Sequence, residues 1–113
     1  MHEMSITRSM MEIVREEMDR HGVKSLKRLK VRIGELTAVE PEALRFCFEA
    51  YVKGTPLEGA VLEIEDVPLM GWCAQCSAEF RMEYFLRACP ECEGASVTKT
   101  TGHELDIVSM EAE

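Results

Sequence analysis

The segment LKRLKVRI at residues 26–33 decides the fold class of this chain. Its apolar side chains Leu29, Val31 and Ile33 alternate with basic ones, so the two sets point to opposite sides of an extended strand. The pattern predicts a half-buried β-strand with one face on a hydrophobic core. The rest of the fold follows from the residues on either side of this segment.

A helix is predicted on each side of the strand. Residues 5–21 place apolar side chains three and four positions apart, and Gly22 supplies a stop signal. The apolar stripe consists of Ile6, Met10, Ile13, Val14 and Met18. After the strand, Glu40-Pro41-Glu42 opens a second helix, because proline suits the first helical position, and Gly54 ends it.

The second helix is apolar on two sides. One stripe is Leu44, Cys47, Phe48 and Tyr51, and the other is Ala43, Phe46 and Ala50. A helix of this kind is predicted to be covered on both sides, by the sheet and by a second element. Cys47 is then interpreted as a small buried hydrophobe.

Two further strands complete the pattern. Residues 60–65 alternate apolar and polar side chains before Pro68, and strand, helix, strand in that order predicts a parallel pair with a right-handed crossover. Residues 103–110 alternate Leu105 and Ile107 with acidic neighbours, which predicts a third strand. The cysteine-containing segment is therefore an insertion between strands.

Two Cys-x-x-Cys pairs, separated by twelve residues, predict a metal site. The ligands are Cys73, Cys76, Cys89 and Cys92. Each tight pair directs two thiolates at one ion, and two pairs complete a tetrahedron with no open position, so the site is structural and not catalytic. An odd number of cysteines, 5 in all, and the lack of a secretory signal fit a metal better than disulfides.

Zinc and iron both bind such a set. Ser77 and Glu93 follow the two pairs, where rubredoxin iron sites usually carry glycine, and few aromatic residues are available to shield an iron centre, so zinc is favoured. The segment is too small to fold without its metal. We therefore predict a zinc-binding domain at 69–102 and a second domain formed by 1–68 plus 103–113.

Charge and composition exclude several classes of function. The formal net charge is −8, with 10 basic and 13 acidic residues up to Pro68 and 3 basic and 8 acidic residues after it. An acidic metal lobe argues against nucleic-acid binding and favours a cation or a basic protein partner. The chain is predicted to be cytoplasmic without a membrane contact. No nucleophile–base arrangement indicates an enzyme, and His21 and His103 are isolated.

The N-terminus offers a second metal site. The α-amine of Met1, the amide nitrogen of His2 and the His2 imidazole can close adjacent chelate rings around one cation, and the amide of Glu3 can complete a flat set of four nitrogens. Square-planar nitrogen donors suit Ni(II) or Cu(II). The alternative is a solvated histidine on a frayed end.

These features together resemble the HypA/HybF family of hydrogenase-maturation nickel chaperones over essentially the whole length. The matching segments are Met1-His2-Glu3, Ile33-Gly34-Glu35-Leu36, Val39-Glu40-Pro41 with Leu44-Arg45-Phe46, the two cysteine pairs, and Gly102-His103-Glu104-Leu105-Asp106-Ile107. An initial Met-His-Glu together with one four-cysteine motif is specific, whereas either half alone is not.

The resemblance implies an α+β fold: two helices packed on a small three-stranded mixed sheet, with an inserted zinc-ribbon-like lobe. It implies a nickel metallochaperone that carries structural Zn(II) and transports Ni(II). Nickel ligation maps onto the Met1 amine, His2 and Glu3, with Glu40 at the nearby acidic position. The implied partners are a GTPase maturation factor and the large subunit of NiFe hydrogenase, and some relatives also serve urease maturation. The alternative function is a zinc-ribbon module that binds nucleic acid or protein.

Overall fold

The computed structural model describes residues 2–83 and 88–113. The elements in chain order are α1 (Glu3–His21), β1 (Leu26–Gly34), a short 3₁₀ helix (Glu35–Thr37), α2 (Pro41–Val52), β2 (Val61–Val67), β3 (Met70–Cys73), β4 (Ala78–Arg81), β5 (Val97–Thr101) and β6 (Leu105–Ala112). The strands form two three-stranded sheets, ordered β2-β1-β6 and β4-β3-β5. The predicted α+β class, with two helices and an inserted lobe, is confirmed.

The predicted strand at residues 26–33 is the centre of the first sheet. Arg28 pairs with Glu63 of β2 at 2.7 Å and Lys30 pairs with Glu65 at 3.4 Å. The residue numbers rise together along the two strands, as they do in a parallel pair. These two ion pairs agree with the predicted parallel pair, and its right-handed crossover stays a prediction.

The last strand runs the other way along β1. Ser25 and Glu113 exchange backbone hydrogen bonds of 2.9 and 2.8 Å, while Arg32 and Asp106 form an ion pair nearer the opposite end of β1. Numbers that rise on one strand and fall on the other identify an antiparallel pair. The first sheet is therefore mixed.

Helix α1 buries a stripe that differs from the predicted one. Met10, Val14 and Met18 are buried as expected, but Ile13 is 53% exposed and Met11 is fully buried in its place. Buried positions spaced four, three and four residues apart follow the helical repeat, and Ile13 lies outside that face. Met10, three positions earlier, placed Ile13 in the predicted stripe, but the other positions three and four residues away, Ser9, Glu16 and Glu17, are polar. The prediction for Ile13 was therefore wrong.

Helix α2 is covered on one side. Leu44 and Phe48 are fully buried and Cys47 is 6% exposed, so the first predicted stripe faces the core. Phe46 is 73% exposed and Ala50 is also exposed, so the second stripe faces solvent. The prediction that α2 is covered on both sides was wrong, since apolar content alone does not show which face finds a partner.

The two helices run in the same direction. The Glu3 carboxylate at the start of α1 accepts a hydrogen bond from the backbone N–H of Glu40, which precedes α2. Near the other end of α2, the guanidinium of Arg15 lies 5.5 Å from the centroid of the Tyr51 ring, a cation–π geometry. The N-termini of α1 and α2 are therefore adjacent.

The chain divides into two compact units. One comprises residues 1–32, 39–65 and 106–113, and the other comprises 33–38 and 66–105. The division predicted from the sequence assigns 33–38 to the first domain. These residues group with the cysteine segment because Gly34 donates its N–H to the carbonyl of Glu104, and Leu36 donates to Gly102, both at 2.7 Å.

The second sheet holds one cysteine at the end of its central strand. In β3, Trp72 lies opposite Glu79 of β4, and Cys73 lies opposite Ala78. The neighbouring Gly71 packs tightly, since a Cβ there would lie 2.6 Å from the sulfur of Met82. The three short strands of this sheet were not predicted.

Candidate metal centres

The four predicted zinc ligands lie together. The sulfurs of the four cysteines are all within 4.8 Å of one another. Cys73 and Cys92 are 3.6 Å apart and Cys76 and Cys89 are 3.8 Å apart, so each close pair joins the two sequence motifs. A tetrahedron with Zn–S bonds of about 2.3 Å has sulfur–sulfur edges of about 3.8 Å. The donor set and its spacing therefore fit one tetrahedral metal ion.

A backbone amide donates a hydrogen bond to the first sulfur of each pair. The N–H of Cys76 donates to Sγ of Cys73, and the N–H of Glu91 donates to Sγ of Cys89, both at 3.4 Å. Such donors stabilise negative charge on sulfur. The tight turn between two cysteines therefore both positions the ligands and favours their thiolate form.

The residue after each pair adopts a left-handed backbone. Ser77 has φ of 52° and Glu93 has φ of 57°, a region that favours glycine. The turn forms with non-glycine residues at both positions. The left-handed turn therefore forms with serine or glutamate in place of glycine. The residues at these two positions are a weak criterion for choosing zinc over iron.

The sulfurs differ in exposure and in proton affinity. Cys73 and Cys89 are buried, whereas Cys76 and Cys92 are exposed. Hydrogen bonds with the other sulfurs, that of Cys92 first, raise the pKa of Cys76 to about 12, while the backbone amide of Cys92 lowers the pKa of Cys89 to about 7. Metal binding must displace protons from these thiols, so affinity falls as the solution becomes more acidic.

The N-terminal candidates occupy the start of α1. Met1 lies outside the described residues. His2 precedes the helix with a side chain that is 53% exposed, and its Nε2 lies 3.7 Å from Oε2 of Glu3. Glu3 is the first helical residue and is only 6% exposed. Its hydrogen bond from the Glu40 N–H lowers the pKa of the Glu3 carboxyl.

The amide nitrogens at this end are free of helical hydrogen bonds. The first backbone hydrogen bond of α1 runs from the N–H of Ile6 to the carbonyl of His2. The amides of His2 and Glu3 precede it, and helices leave such N–H groups without carbonyl partners. A metal could replace their protons without breaking a helical hydrogen bond.

Glu40 contributes differently from Glu3. It is exposed at the N-terminus of α2, and its carboxylate accepts a hydrogen bond from the Glu42 N–H at 3.3 Å. Among the described residues, the four cysteines are the only group of three or more His, Cys, Asp or Glu side chains arranged to hold a metal. The structure thus brings the backbone N–H of Glu40 to the Glu3 carboxylate.

Two side-chain contacts at these centres had no signal in the sequence pattern. Glu3 was predicted to contribute its amide nitrogen, and the structure shows in addition that its carboxylate links two helices. The second is the contact of the Gln75 side chain with Cys92, since Gln75 carried no prediction. In residues 2–83 and 88–113, no helix is both long and apolar enough to cross a membrane.

Comparison with known proteins gives one consistent result. The family model described as "Hydrogenase/urease nickel incorporation, metallochaperone, hypA" matches residues 1–112. The chain is 42% identical to the hydrogenase maturation factor HypA of Lawsonia intracellularis and 42% identical to that of Methylocella silvestris, in each case over 100% of both proteins.

Solved structures agree with these sequence matches. The solution structure of the Ni metallochaperone HypA from Helicobacter pylori is similar with a TM-score of 0.66 and 26% identity, covering 99% of this chain and 97% of that one. A second solution structure of a HypA protein has a TM-score of 0.72 and 26% identity, covering 100% and 97%. These relatives are named as maturation factors or metallochaperones and not as catalytic enzymes, in agreement with the sequence analysis.

Proposed function

This chain belongs to the HypA family of hydrogenase/urease nickel-incorporation metallochaperones, and from that premise we propose that it binds Ni(II) at its N-terminus and delivers it during maturation of NiFe hydrogenase. The observation that carries the proposal is the fixed N-terminal turn of α1. The buried Glu3 carboxylate holds this turn to the start of α2, while the His2 imidazole beside it remains exposed. A cation from solvent can therefore reach an imidazole on an ordered backbone.

The proposed nickel ligands are the α-amine of Met1, the amide and imidazole nitrogens of His2, and the amide nitrogen of Glu3. Four nitrogens in a plane satisfy Ni(II), which favours square-planar nitrogen sets. The amides of His2 and Glu3 at the start of α1 precede the first helical hydrogen bond, and this supports the assignment. Glu40 is proposed as the nearby acidic group, positioned by its backbone contact with Glu3.

The second proposed metal is a structural Zn(II) held by Cys73, Cys76, Cys89 and Cys92. With four thiolates the coordination shell is complete, so the ion contributes folding free energy and leaves no position for a reacting water. The residues 69–102 predicted as the zinc domain then serve as a metal-stabilised module, and residues 1–68 and 103–113 form the proposed nickel-binding domain.

The proposed partners follow from the hydrogenase role that the relatives' names carry. They are a GTPase maturation factor and the large subunit of NiFe hydrogenase, with urease maturation factors as further recipients, since the family description includes urease. The formal charge of −8 favours basic surfaces on these partners. The proposed location is the cytoplasm.

The decisive experiment compares nickel binding by four proteins: untagged wild type, wild type with one residue added before Met1, His2→Ala and His21→Ala. His21 is a suitable control because it is an exposed histidine at the other end of α1. Calorimetry and absorbance measure nickel affinity, and elemental analysis measures zinc. We expect one nickel per chain in wild type and His21→Ala, no specific nickel in the other two, and unchanged zinc in all four.

Tight nickel binding by the extended protein would overturn the N-terminal site, because the added residue separates the free amine from His2. Affinity should also fall below neutral pH, since protons compete for the imidazole and the amine.

A zinc-ribbon module for nucleic acid remains the second candidate, favoured by the four-cysteine cluster beside a three-stranded sheet. The acidic charge of the second half disfavours it, because affinity for nucleic acid comes from neutralising phosphates. A mobility-shift titration with duplex and single-stranded DNA should show no binding at moderate salt. Salt-sensitive micromolar affinity would favour this second function.

A further inference from the structure

The sulfur of Cys92 has a side-chain partner from the opposite cysteine pair. Its Sγ lies 3.4 Å from Oε1 of Gln75, which sits between Cys73 and Cys76 in the sequence. The Gln75 amide occupies space left by a missing side chain, because a Cβ at Gly94 would collide with its Oε1. The Gln75 side chain thus packs against both the Cys92 sulfur and Gly94, in the turn that follows Cys92.

The donor and acceptor in the contact between Gln75 and Cys92 must exchange roles when a metal binds. A metal-bound cysteine is a thiolate, which accepts hydrogen bonds and has none to donate. A glutamine amide can rotate by half a turn and present its N–H₂ in place of its oxygen, with nearly the same shape. We infer that Gln75 is a positioning residue of the four-cysteine centre, whose amide N–H donates to the Cys92 thiolate. The inference rests on the proposed zinc site.

The Gln75 donor makes the two exposed cysteines, Cys76 and Cys92, differ in the hydrogen bonds that their sulfurs accept. Cys92 also accepts a hydrogen bond from the backbone N–H of Gly94 at 3.4 Å, so Gln75 supplies a second donor. For Cys76, the sulfur's partners within the described residues are other cysteine sulfurs. Hydrogen bonds from surrounding groups withdraw charge from a metal-bound ligand and hold its orientation. The Cys92 thiolate is therefore the less nucleophilic of the two, and Cys76 is the exposed ligand that reagents attack first.

The test uses the full-length zinc protein and three variants. Gln75→Leu removes the donor at similar size, and Gln75→Glu replaces it with an acceptor that repels a thiolate. The matched control is Glu91→Gln, which keeps the backbone N–H that donates to Cys89 and changes only the exposed side chain at the corresponding position of the other cysteine pair. Elemental analysis gives zinc content, a colorimetric chelator gives the rate of zinc release, and limited alkylation with peptide mass spectrometry gives the ratio of modified Cys92 to modified Cys76.

We expect one zinc per chain in all four proteins. Zinc release should be several-fold faster in Gln75→Leu and faster again in Gln75→Glu, while Glu91→Gln matches wild type. The ratio of alkylated Cys92 to alkylated Cys76 should be low in wild type and rise several-fold in both Gln75 variants. A general loss of stability would expose both cysteines and would not raise this ratio.

Two failures are distinguishable. Wild-type protein without zinc would overturn the metal site itself and the inference with it. Normal zinc content, with release rates and alkylation ratios unchanged by either Gln75 substitution, would overturn the role of Gln75 alone.

Discussion

The carboxylate of Glu3 accepts a hydrogen bond from the backbone N–H of Glu40, with 3.3 Å between Oε2 and N. The bond joins residues 37 positions apart and ties the first turn of α1 to the start of α2. A carboxylate used in this way orders the chain around His2. We therefore expect the Glu3 side chain to support the proposed nickel site by positioning the backbone, with the Glu3 amide nitrogen as the proposed ligand.

The Glu3 contact should make stability depend on pH. The hydrogen bond lowers the pKa of Glu3 in the folded state below its ordinary value of 4.5, so its stabilisation is complete above that value and is lost as the pH falls through the lower, folded value. Glu3→Gln should remove part of this acid sensitivity. Urea unfolding followed by helical circular dichroism, from neutral pH to about pH 3, measures it.

Glu12→Gln is the control, because Glu12 is an exposed acid on the same helix. It should leave the pH profile of stability unchanged. Equal flattening of the profile by Glu12→Gln and Glu3→Gln would contradict the specific role of the Glu3–Glu40 contact.

Substitutions of Glu40 should show whether its carboxylate binds nickel directly or only caps α2. Its carboxylate accepts from the Glu42 N–H, and loss of an N-terminal cap costs about 1 kcal/mol. We expect Glu40→Ala to lower the free energy of unfolding and to weaken nickel binding less than His2→Ala. Glu40→Gln keeps the cap oxygen and removes the charge. A loss of nickel affinity in Glu40→Gln equal to that in His2→Ala would instead identify the carboxylate as a direct ligand.

Removing one zinc ligand should loosen only the second compact unit. Cys73→Ser or Cys92→Ala breaks the four-thiolate shell, which supplies the folding free energy of a segment with little core of its own. Amide hydrogen exchange should show lost protection in β3, β4 and β5 and retained protection in α1 and β1.

Cys47→Ala is the matched control, since Cys47 is buried in α2 outside the cluster. It should keep one zinc per chain while destabilising the first unit. Cooperative unfolding of the whole chain in Cys73→Ser, or iron in place of zinc in protein expressed with ample zinc, would contradict the prediction.

Truncation of two apolar residues of α2 should cost very different amounts of folding free energy. Leu44 is fully buried, so Leu44→Ala should cost about 2–5 kcal/mol from lost burial and a residual cavity. Phe46 is 73% exposed, so Phe46→Ala should change stability by about 0.5 kcal/mol or less. Chemical denaturation of both variants checks this. A large cost at Phe46 would show that its side of the helix is covered.

Local patterns in the sequence determined the two helices, the strands of the first sheet and the cluster of four cysteines. The alternation at 26–33 places charges on one side of β1, and the structure pairs Arg28 and Lys30 with acids of β2. The spacing of the cysteine pairs identified a cluster whose sulfurs lie within 4.8 Å of one another. Both inferences succeed because strand periodicity and a tight metal-binding turn depend on residues a few positions apart.

Contacts between distant residues were decided by the tertiary structure alone. The burial of Met11 in place of Ile13, and the exposure of Phe46, depend on which helix face meets a neighbouring element. The short strands β3 to β5 depend on pairing with one another, because four or five residues without alternation carry little pattern. Glu3 with Glu40, and Gln75 with Cys92, meet because the chain folds back on itself, and no spacing rule links those positions in the sequence.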